Sequence, residues 1–274
     1  MPASAFALAL AAAFVHAGWN LLTARAAESQ VAAGVALLAG SVVFAPAALA
    51  GGSLSAEALP YVAASVALEL GYLLCLATAY QRGPLSVVYP VARGAAPVLV
   101  LVGSVAFLAA QPSAAQVAGV LVVAAGVVLV RGGDEPARGA DLGLALLTAA
   151  FIAAYTVVDK EGLEHADALP YLWAVLAPTA VIYVAATAAV RGTEAVKAEA
   201  NRSTLLAGLG MFAAYGLVLA ALERGPAAGV AAVRECSVVI AAGLAAAFLK
   251  EPLGGARLAG AVLVAGGVAA IAVF

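Results

Sequence analysis

The chain has 274 residues, of which 65% are hydrophobic and 10% are charged, whereas about a quarter of the residues in a soluble domain are charged. This balance excludes an ordinary soluble globular protein and predicts an all-α integral membrane protein surrounded by the lipid bilayer. The formal net charge is -2, and no basic face is present, so nucleic acid is excluded as a partner.

Polar and Gly/Pro segments divide the chain into ten apolar runs, each near the length of about 20 residues that a transmembrane helix needs. We number them spans 1 to 10; they cover residues 3–24, 30–50, 57–80, 84–109, 113–131, 140–160, 168–190, 203–222, 226–249 and 255–273. The first run lacks the basic segment of a signal peptide, which predicts a permanent first helix.

Lysine and arginine are divided unevenly between the loops. The loops after the odd-numbered spans hold nine of them: Arg25, Arg82, Arg131, Arg138, Arg191, Lys197, Arg202, Lys250 and Arg257. The other loops hold Lys160 and Arg224. Because basic loops stay in the cytoplasm, we expect a multi-pass protein of the cell inner (cytoplasmic) membrane with both termini non-cytoplasmic.

The second half of the chain repeats the first. RGP at 82–84 recurs at 224–226, an offset of 142 residues, and FLAAQP at 107–112 aligns with FLKEP at 248–252. Five spans per repeat is an odd number, so the second copy would enter the membrane from the opposite side, as in the inverted repeats of many secondary transporters. The predicted domains are a first repeat at 1–131, a linker at 132–139 and a second repeat at 140–274.

Spans 5 and 10 each carry two glycines seven residues apart. These are Gly119 and Gly126 in span 5, and Gly260 and Gly267 in span 10. The spacing keeps both glycines on one helix face and permits close approach of another helix. Neither span has a charge in its middle, so we assign both to packing.

Five ionisable residues lie near the middle of spans. Arg93 stands about 14 Å into span 4, close to halfway through a core of about 30 Å, and Glu235 is its equivalent in span 9 at the offset of 142. Arg234, His16 and Glu69 are the others. Intramembrane charges usually face a partner or a wet cavity, so these residues predict a polar substrate cavity. The alternative is a buried Arg93–Glu235 ion pair that only fixes span 4 against span 9. The two interpretations are compatible if the ion pair closes an empty site and opens to receive ligand.

Other residues extend this candidate site. Pro90, Gly94 and Pro97 predict that span 4 bends or opens beside Arg93, since neither proline can donate a helical hydrogen bond. His16, Glu69 and Glu235 are candidates for proton coupling, with a packed core histidine as the alternative for His16. By helix assignment the cavity would also include Trp19, Asn20, Tyr72, Tyr89 and Tyr155. Asp159 and Lys160 form either a gate pair or a solvated helix end.

Several of these stretches carry a family likeness. HAGWN at 16–20, YPVARGAAP at 89–97, VRECSVV at 233–239 and the two FL turns before glycine-spaced helices resemble EamA-type members of the drug/metabolite transporter superfamily. The resemblance covers essentially the whole chain. It implies ten helices as two EamA repeats, alternating access, and a central cavity lined mainly by spans 1, 3, 4, 6, 8 and 9.

One position departs from that family. Gln111 stands where the first repeat of such proteins often has a glutamate, like Glu251 here, and this implies an altered gate in the first half. Relatives move amino acids, other small metabolites, drugs or nucleotide sugars, so the resemblance leaves the substrate open.

We expect a secondary transporter of small polar metabolites that acts as an exporter with proton coupling. Amino acids or related zwitterions are the leading candidates for its substrate. Arg93 would bind the anionic group and Glu235 the cationic group. Alternatives are a carrier of phosphonate or phosphate-ester anions using Arg93 and Arg234, or of organic cations and drugs using Glu69 and Glu235. A polytopic membrane enzyme or a non-transporting scaffold is more remote.

No nucleophile motif, metal cluster or phosphate loop occurs in the sequence, so no metal or cofactor is expected. A monomer and a homodimer are both compatible with the sequence.

Overall fold

The computed structural model describes residues 1–23, 26–82, 85–131, 139–249 and 254–273. Within these ranges the elements are one short 3₁₀ helix, Ala56–Ala58, one isolated bridge between Leu54 and Ala166, and α-helices. The predicted all-α class is therefore confirmed. The helices are α1 (Ala3–Thr23), α2 (Ser29–Ala50), α3 (Leu59–Arg82), α4 (Leu85–Phe107), α5 (Ala114–Arg131), α6 (Gly139–Gly162), α7 (Ala168–Arg191), α8 (Thr193–Glu199), α9 (Arg202–Arg224), α10 (Ala227–Arg234), α11 (Cys236–Leu249) and α12 (Gly255–Val273).

Most of these helices have the length and hydropathy of membrane spans. Within the described ranges, eight segments are long and apolar enough to cross a bilayer: Ala3–Thr23, Ser29–Ala50, Ala56–Leu76, Leu142–Gly162, Ala168–Arg191, Arg202–Arg224, Ala227–Leu244 and Gly255–Val273. Two shorter apolar helices, Val91–Phe107 and Ala114–Val130, fall within predicted spans 4 and 5. Large apolar side chains such as Leu49, Phe107 and Val262 are exposed on the outside, as lipid-facing residues should be. The total of ten spans stays a prediction.

Some predicted features lie outside the described residues. They are Arg25, Arg138, Lys250, Glu251 and most of the linker at 132–139. The short helix α8 was not predicted; it lies in the loop after span 7, where Thr193–Glu199 is too short to cross a membrane.

Small residues let the helices approach one another closely. Between α2 and α9, a Cβ placed on Gly40 would lie 2.6 Å from the carbonyl oxygen of Gly208. Helix α9 also packs along α1, while α6 packs against both α3 and α4. Large side chains such as Tyr171, Leu219 and Ile271 are fully buried between the helices.

The glycine pairs of spans 5 and 10 meet each other. A Cβ on Gly119 would lie 2.9 Å from the Gly267 oxygen, and one on Gly126 would lie 2.8 Å from the Gly260 oxygen. The predicted packing role of these glycines is confirmed. Because the earlier glycine of each helix meets the later glycine of the other, α5 and α12 cross in opposite directions.

A candidate substrate site between the helices

Arg93 and Glu235 form a buried ion pair. Arg93 Nε lies 3.0 Å from Glu235 Oε2, and the side chains are only 6% and 4% exposed. Arg93 Nη2 also donates a hydrogen bond to Ser237 Oγ at 3.2 Å. The two charges that the repeat alignment matched are therefore in direct contact, and water has almost no access to them.

Glu235 takes its position from an interruption of the helix. Helix α10 ends at Arg234 and α11 begins at Cys236. The Glu235 N–H donates to the Ala232 oxygen at 3.1 Å, and the Glu235 oxygen accepts from the Val238 N–H at 3.0 Å. Both bonds span three residues instead of four, which makes a 3₁₀ turn; such turns inside longer helices often mark functional hinges.

Helix α4 differs from the prediction for span 4. It is continuous from Leu85–Phe107, through Pro90, Gly94 and Pro97, so the predicted opening of the backbone is not observed. Gly94 instead faces α5, where a Cβ would lie 3.0 Å from the Ala124 oxygen. Close packing of this kind supports a membrane helix where prolines remove hydrogen-bond donors.

Asp159 of α6 is a buried carboxylate held by three hydroxyl groups. It is 0% exposed. Its Oδ1 accepts from Ser65 Oγ at 2.6 Å and from the Tyr171 hydroxyl at 3.1 Å, and its Oδ2 accepts from the Tyr215 hydroxyl. The donors come from α3, α7 and α9, so one carboxylate links four helices. A buried charge needs such donors because leaving it unpaired is costly.

Lys160 follows Asp159 in sequence but has different surroundings. Its Nζ donates to the Leu222 oxygen at 2.6 Å, and it lines a cavity at the end of the bundle. The two residues do not form the predicted gate pair with each other. The helix turns their side chains toward different neighbours, as it does for any two consecutive residues.

Arg234 lies near both the Arg93–Glu235 pair and Asp159, and Glu69 lies near Asp159. Arg234 interacts with the Tyr155 hydroxyl and, through its charge, with Arg93 and Glu235. Among the described residues, no carboxylate lies within salt-bridge distance of the Arg234 guanidinium. Glu69 is 7% exposed; its side chain is influenced by the charge of Arg234 and interacts with Tyr215.

The aromatic candidates surround these charges only in part. The Tyr155 ring lies 6.1 Å from those of both Tyr72 and Tyr215. Asn20 contributes its backbone oxygen to the Thr23 hydroxyl, and no described contact ties its side chain to the site. The Tyr89 side chain lies outside what the structure describes.

His16 and Trp19 of α1 form the remaining predicted part of the site. Their rings meet edge to face at 4.7 Å, and Arg93 and Arg234 act on His16 through their charges. Trp19 Nε1 is buried and has no hydrogen-bond partner within the described ranges, so this donor is available to a ligand.

We call the following residues the central cluster: Glu69, Arg93, Tyr155, Asp159, Tyr215, Arg234 and Glu235. Sequence reasoning found most of them but missed Tyr215, as well as the hydroxyl donors Ser65, Tyr171 and Ser237. A usable signal existed for Tyr215 alone, since it is the one polar aromatic residue in the middle of span 8.

Comparison with known proteins gives both the family and the fold. The model of the family described as EamA-like transporter family matches residues 3–132 and 141–273. Matches exist to 28 chains of solved structures. One, described only as the crystal structure of a protein, is 18% identical with a TM-score of 0.78, over 100% of this chain and 99% of that chain; at this identity the likeness concerns the fold alone. No curated protein matches the chain.

Proposed function

The chain belongs to the EamA-like transporter family, and on the charges of the central cluster we propose that it is a secondary transporter of small zwitterions such as amino acids. It is a multi-pass membrane protein of a family of transporters, not of enzymes. The substrate, the direction and the coupling are our proposals.

The observation that carries the proposal is a buried ion pair beside a second arginine. Arg93 and Glu235 neutralise each other at 3.0 Å, while Arg234 has no carboxylate within salt-bridge distance in the described part of the chain. A substrate carboxylate can first meet Arg234 and then Arg93. Its ammonium group would take the place of Arg93 at Glu235, so the ion pair closes the empty site and opens to receive ligand.

The 3₁₀ turn supplies a place for that opening. Glu235 lies where the α-helical hydrogen bonds are interrupted, so a change in its backbone angles disturbs fewer bonds than the same change inside α4. Hinges usually lie at such ends of elements. Movement of α10 against α11 would carry Glu235 away from Arg93 and expose the pair.

The relation of the two repeats supports alternating access. Helices α5 and α12, equivalent in the two repeats, cross in opposite directions through reciprocal glycine contacts. Reciprocal contacts between equivalent positions are the mark of a two-fold relation, which is what inverted repeats predict. With the Lys/Arg bias of the loops, we propose an exporter in the cytoplasmic membrane whose termini are non-cytoplasmic.

Proton coupling is assigned to Glu69 and its neighbours. Glu69 is buried near Asp159, and Tyr215 lies beside both carboxylates. An ionised Glu69 would place a second negative charge beside Asp159. Glu69 is thus the group whose protonation changes the site most, ahead of Glu235 and His16.

Flux measurements in proteoliposomes test the proposal. We expect uptake of some labelled amino acid, competed by other zwitterions, and a loss of about tenfold or more in Arg234→Gln, because a charge-assisted contact is worth about 1.5–3 kcal/mol. Arg191→Gln is the matched control, since Arg191 is half exposed and 3.9 Å from its partner Glu28. Wild-type flux in Arg234→Gln contradicts the assignment. Competition by phosphate esters or organic cations alone would point to the other substrate classes.

The proton assignment has its own readout. In Glu69→Gln we expect transport down the substrate gradient to continue while an imposed pH gradient no longer drives accumulation. The same accumulation is measured in Asp159→Asn, so that the loss of Glu69 is compared with the loss of the neighbouring buried carboxylate. If Glu69→Gln still concentrates substrate against its gradient at the wild-type level, Glu69 is not the coupling group.

A further inference from the structure

A cavity of about 180 Å³ lies at one end of the bundle, and no residue of the central cluster lines it. Its lining includes Ser104 of α4, Lys160 of α6 and the first residues of α10. Ser104 is eleven residues past Arg93 in α4, about 16 Å along the helix axis. The cavity therefore shares no lining residue with the central cluster, although Lys160 directly follows Asp159, and it contains polar groups that the proposed transport mechanism does not use.

The first three residues of α10 line this cavity. Ala227, Ala228 and Gly229 are the first helical residues and are buried. Their N–H groups have no partner within the described ranges, the N-cap is Pro226, and no side chain caps the helix. Unsatisfied N–H groups at a helix start attract anions, since the helix dipole adds positive potential there.

Ser104 provides an independent observation at the same place. The residue is 3% exposed, and its hydroxyl has no hydrogen-bond partner among the described residues. Other helical hydroxyls, such as those of Ser41 and Thr179, donate to the carbonyl four residues earlier. Ser104 does not, and it lines the cavity. A buried unpaired donor of this kind is costly unless something occupies the cavity.

Lys160 brings a positive charge to the same cavity. Its ammonium group makes one described hydrogen bond, to the Leu222 oxygen, and has two further protons to donate. Within the described ranges no acidic side chain lies at salt-bridge distance from it. Gln111, also on the lining, is neutral where the second repeat has Glu251, so it adds no negative charge to the site.

We propose that this cavity is a binding site for a small monoanion, held by Lys160, Ser104 and the N–H groups at the start of α10. One cation and several neutral donors match a single negative charge, either a carboxylate or an inorganic anion. The volume of about 180 Å³ is well below the 300–1,000 Å³ of sites for larger ligands. The proposal does not depend on the identity of the transported substrate.

Isothermal titration of the purified protein with sodium acetate and, separately, sodium chloride tests the site. HEPES is the buffer in every titration, at one fixed concentration. We expect saturable binding of at least one probe. Affinity should fall about tenfold in Lys160→Gln, the size expected for one charge-assisted hydrogen bond, and severalfold in Ser104→Ala. Lys197→Gln is the matched control, because Lys197 pairs with Glu194 on the exposed surface.

A further variant keeps the test independent of folding. Gln111 is exposed, so Gln111→Glu changes charge without removing buried contacts, and it should weaken anion binding severalfold. Stronger binding of acetate than chloride identifies a carboxylate site, and the reverse identifies a halide site. Binding that is equal in wild type, Lys160→Gln and Gln111→Glu, or no binding of either probe, overturns the proposal.

Discussion

Helix α4 and the α10–α11 segment hold equivalent positions in the two repeats. The segment whose sequence contains helix-breaking residues is the continuous one, and the segment without them is interrupted. Helix α4 contains two prolines and a glycine and is continuous. The second segment has no proline or glycine between 230 and 242 and is interrupted at Glu235. Local helix breakers therefore do not decide where the helix is interrupted. The interruption lies instead at Glu235, whose side chain pairs with Arg93.

The largest effect in this comparison is expected when one charge of the Arg93–Glu235 pair is removed. Arg93→Met leaves Glu235 buried and unpaired, which should lower the free energy of unfolding by about 3–5 kcal/mol. The double variant Arg93→Met/Glu235→Met should recover most of that loss, because two packed apolar groups replace a desolvated pair. Unfolding in detergent, followed by circular dichroism, measures both.

A surface pair gives the matching control for that experiment. Arg191 lies 3.9 Å from Glu28, and both side chains are nearly half exposed, so Arg191→Met should change the free energy of unfolding by less than about 1 kcal/mol. Equal destabilisation by Arg93→Met and by the double variant would show that the pair contributes packing alone and that Glu235 does not depend on Arg93.

The sequence was informative about the pair and uninformative about the carboxylate site next to it. Arg93 and Glu235 are charges in apolar spans at one repeat offset, so both their depth and their relation could be predicted. Asp159 could not be interpreted in the same way. Its donors Ser65, Tyr171 and Tyr215 come from three different helices, and nothing in their local patterns marks that they converge.

The glycine contacts give the second largest effect and concern the symmetric part of the fold. In Gly126→Ala the new Cβ would lie 2.8 Å from both the Gly260 oxygen and the Val264 nitrogen. Since backbone cannot move aside easily, we expect a loss of about 1–3 kcal/mol in the free energy of unfolding. Gly260→Ala should cost a similar amount, because its contact with α5 is the reciprocal one.

Gly143→Ala is the control for this pair of variants. No atom lies within 4 Å of a Cβ at Gly143 in α6, so alanine should stabilise the helix by up to about 1 kcal/mol. If Gly126→Ala and Gly143→Ala behave alike, α5 and α12 do not approach as closely as described. Clearly different costs for Gly126→Ala and Gly260→Ala would contradict the two-fold relation.

The smallest effect is expected at Pro97, and it bears most directly on the contrast between the two segments. Alanine would restore an N–H donor for the Arg93 carbonyl, one turn earlier, which favours the helix. It would also remove buried ring atoms and leave a small void, which disfavours the fold. Because α4 is already continuous, these effects should nearly cancel, with a net change below about 1 kcal/mol and flux within about twofold of wild type. A large loss of flux with unchanged stability would mean that α4 opens at Pro97 during transport. Each repeat would then contain a hinge, one at Pro97 and one at Glu235.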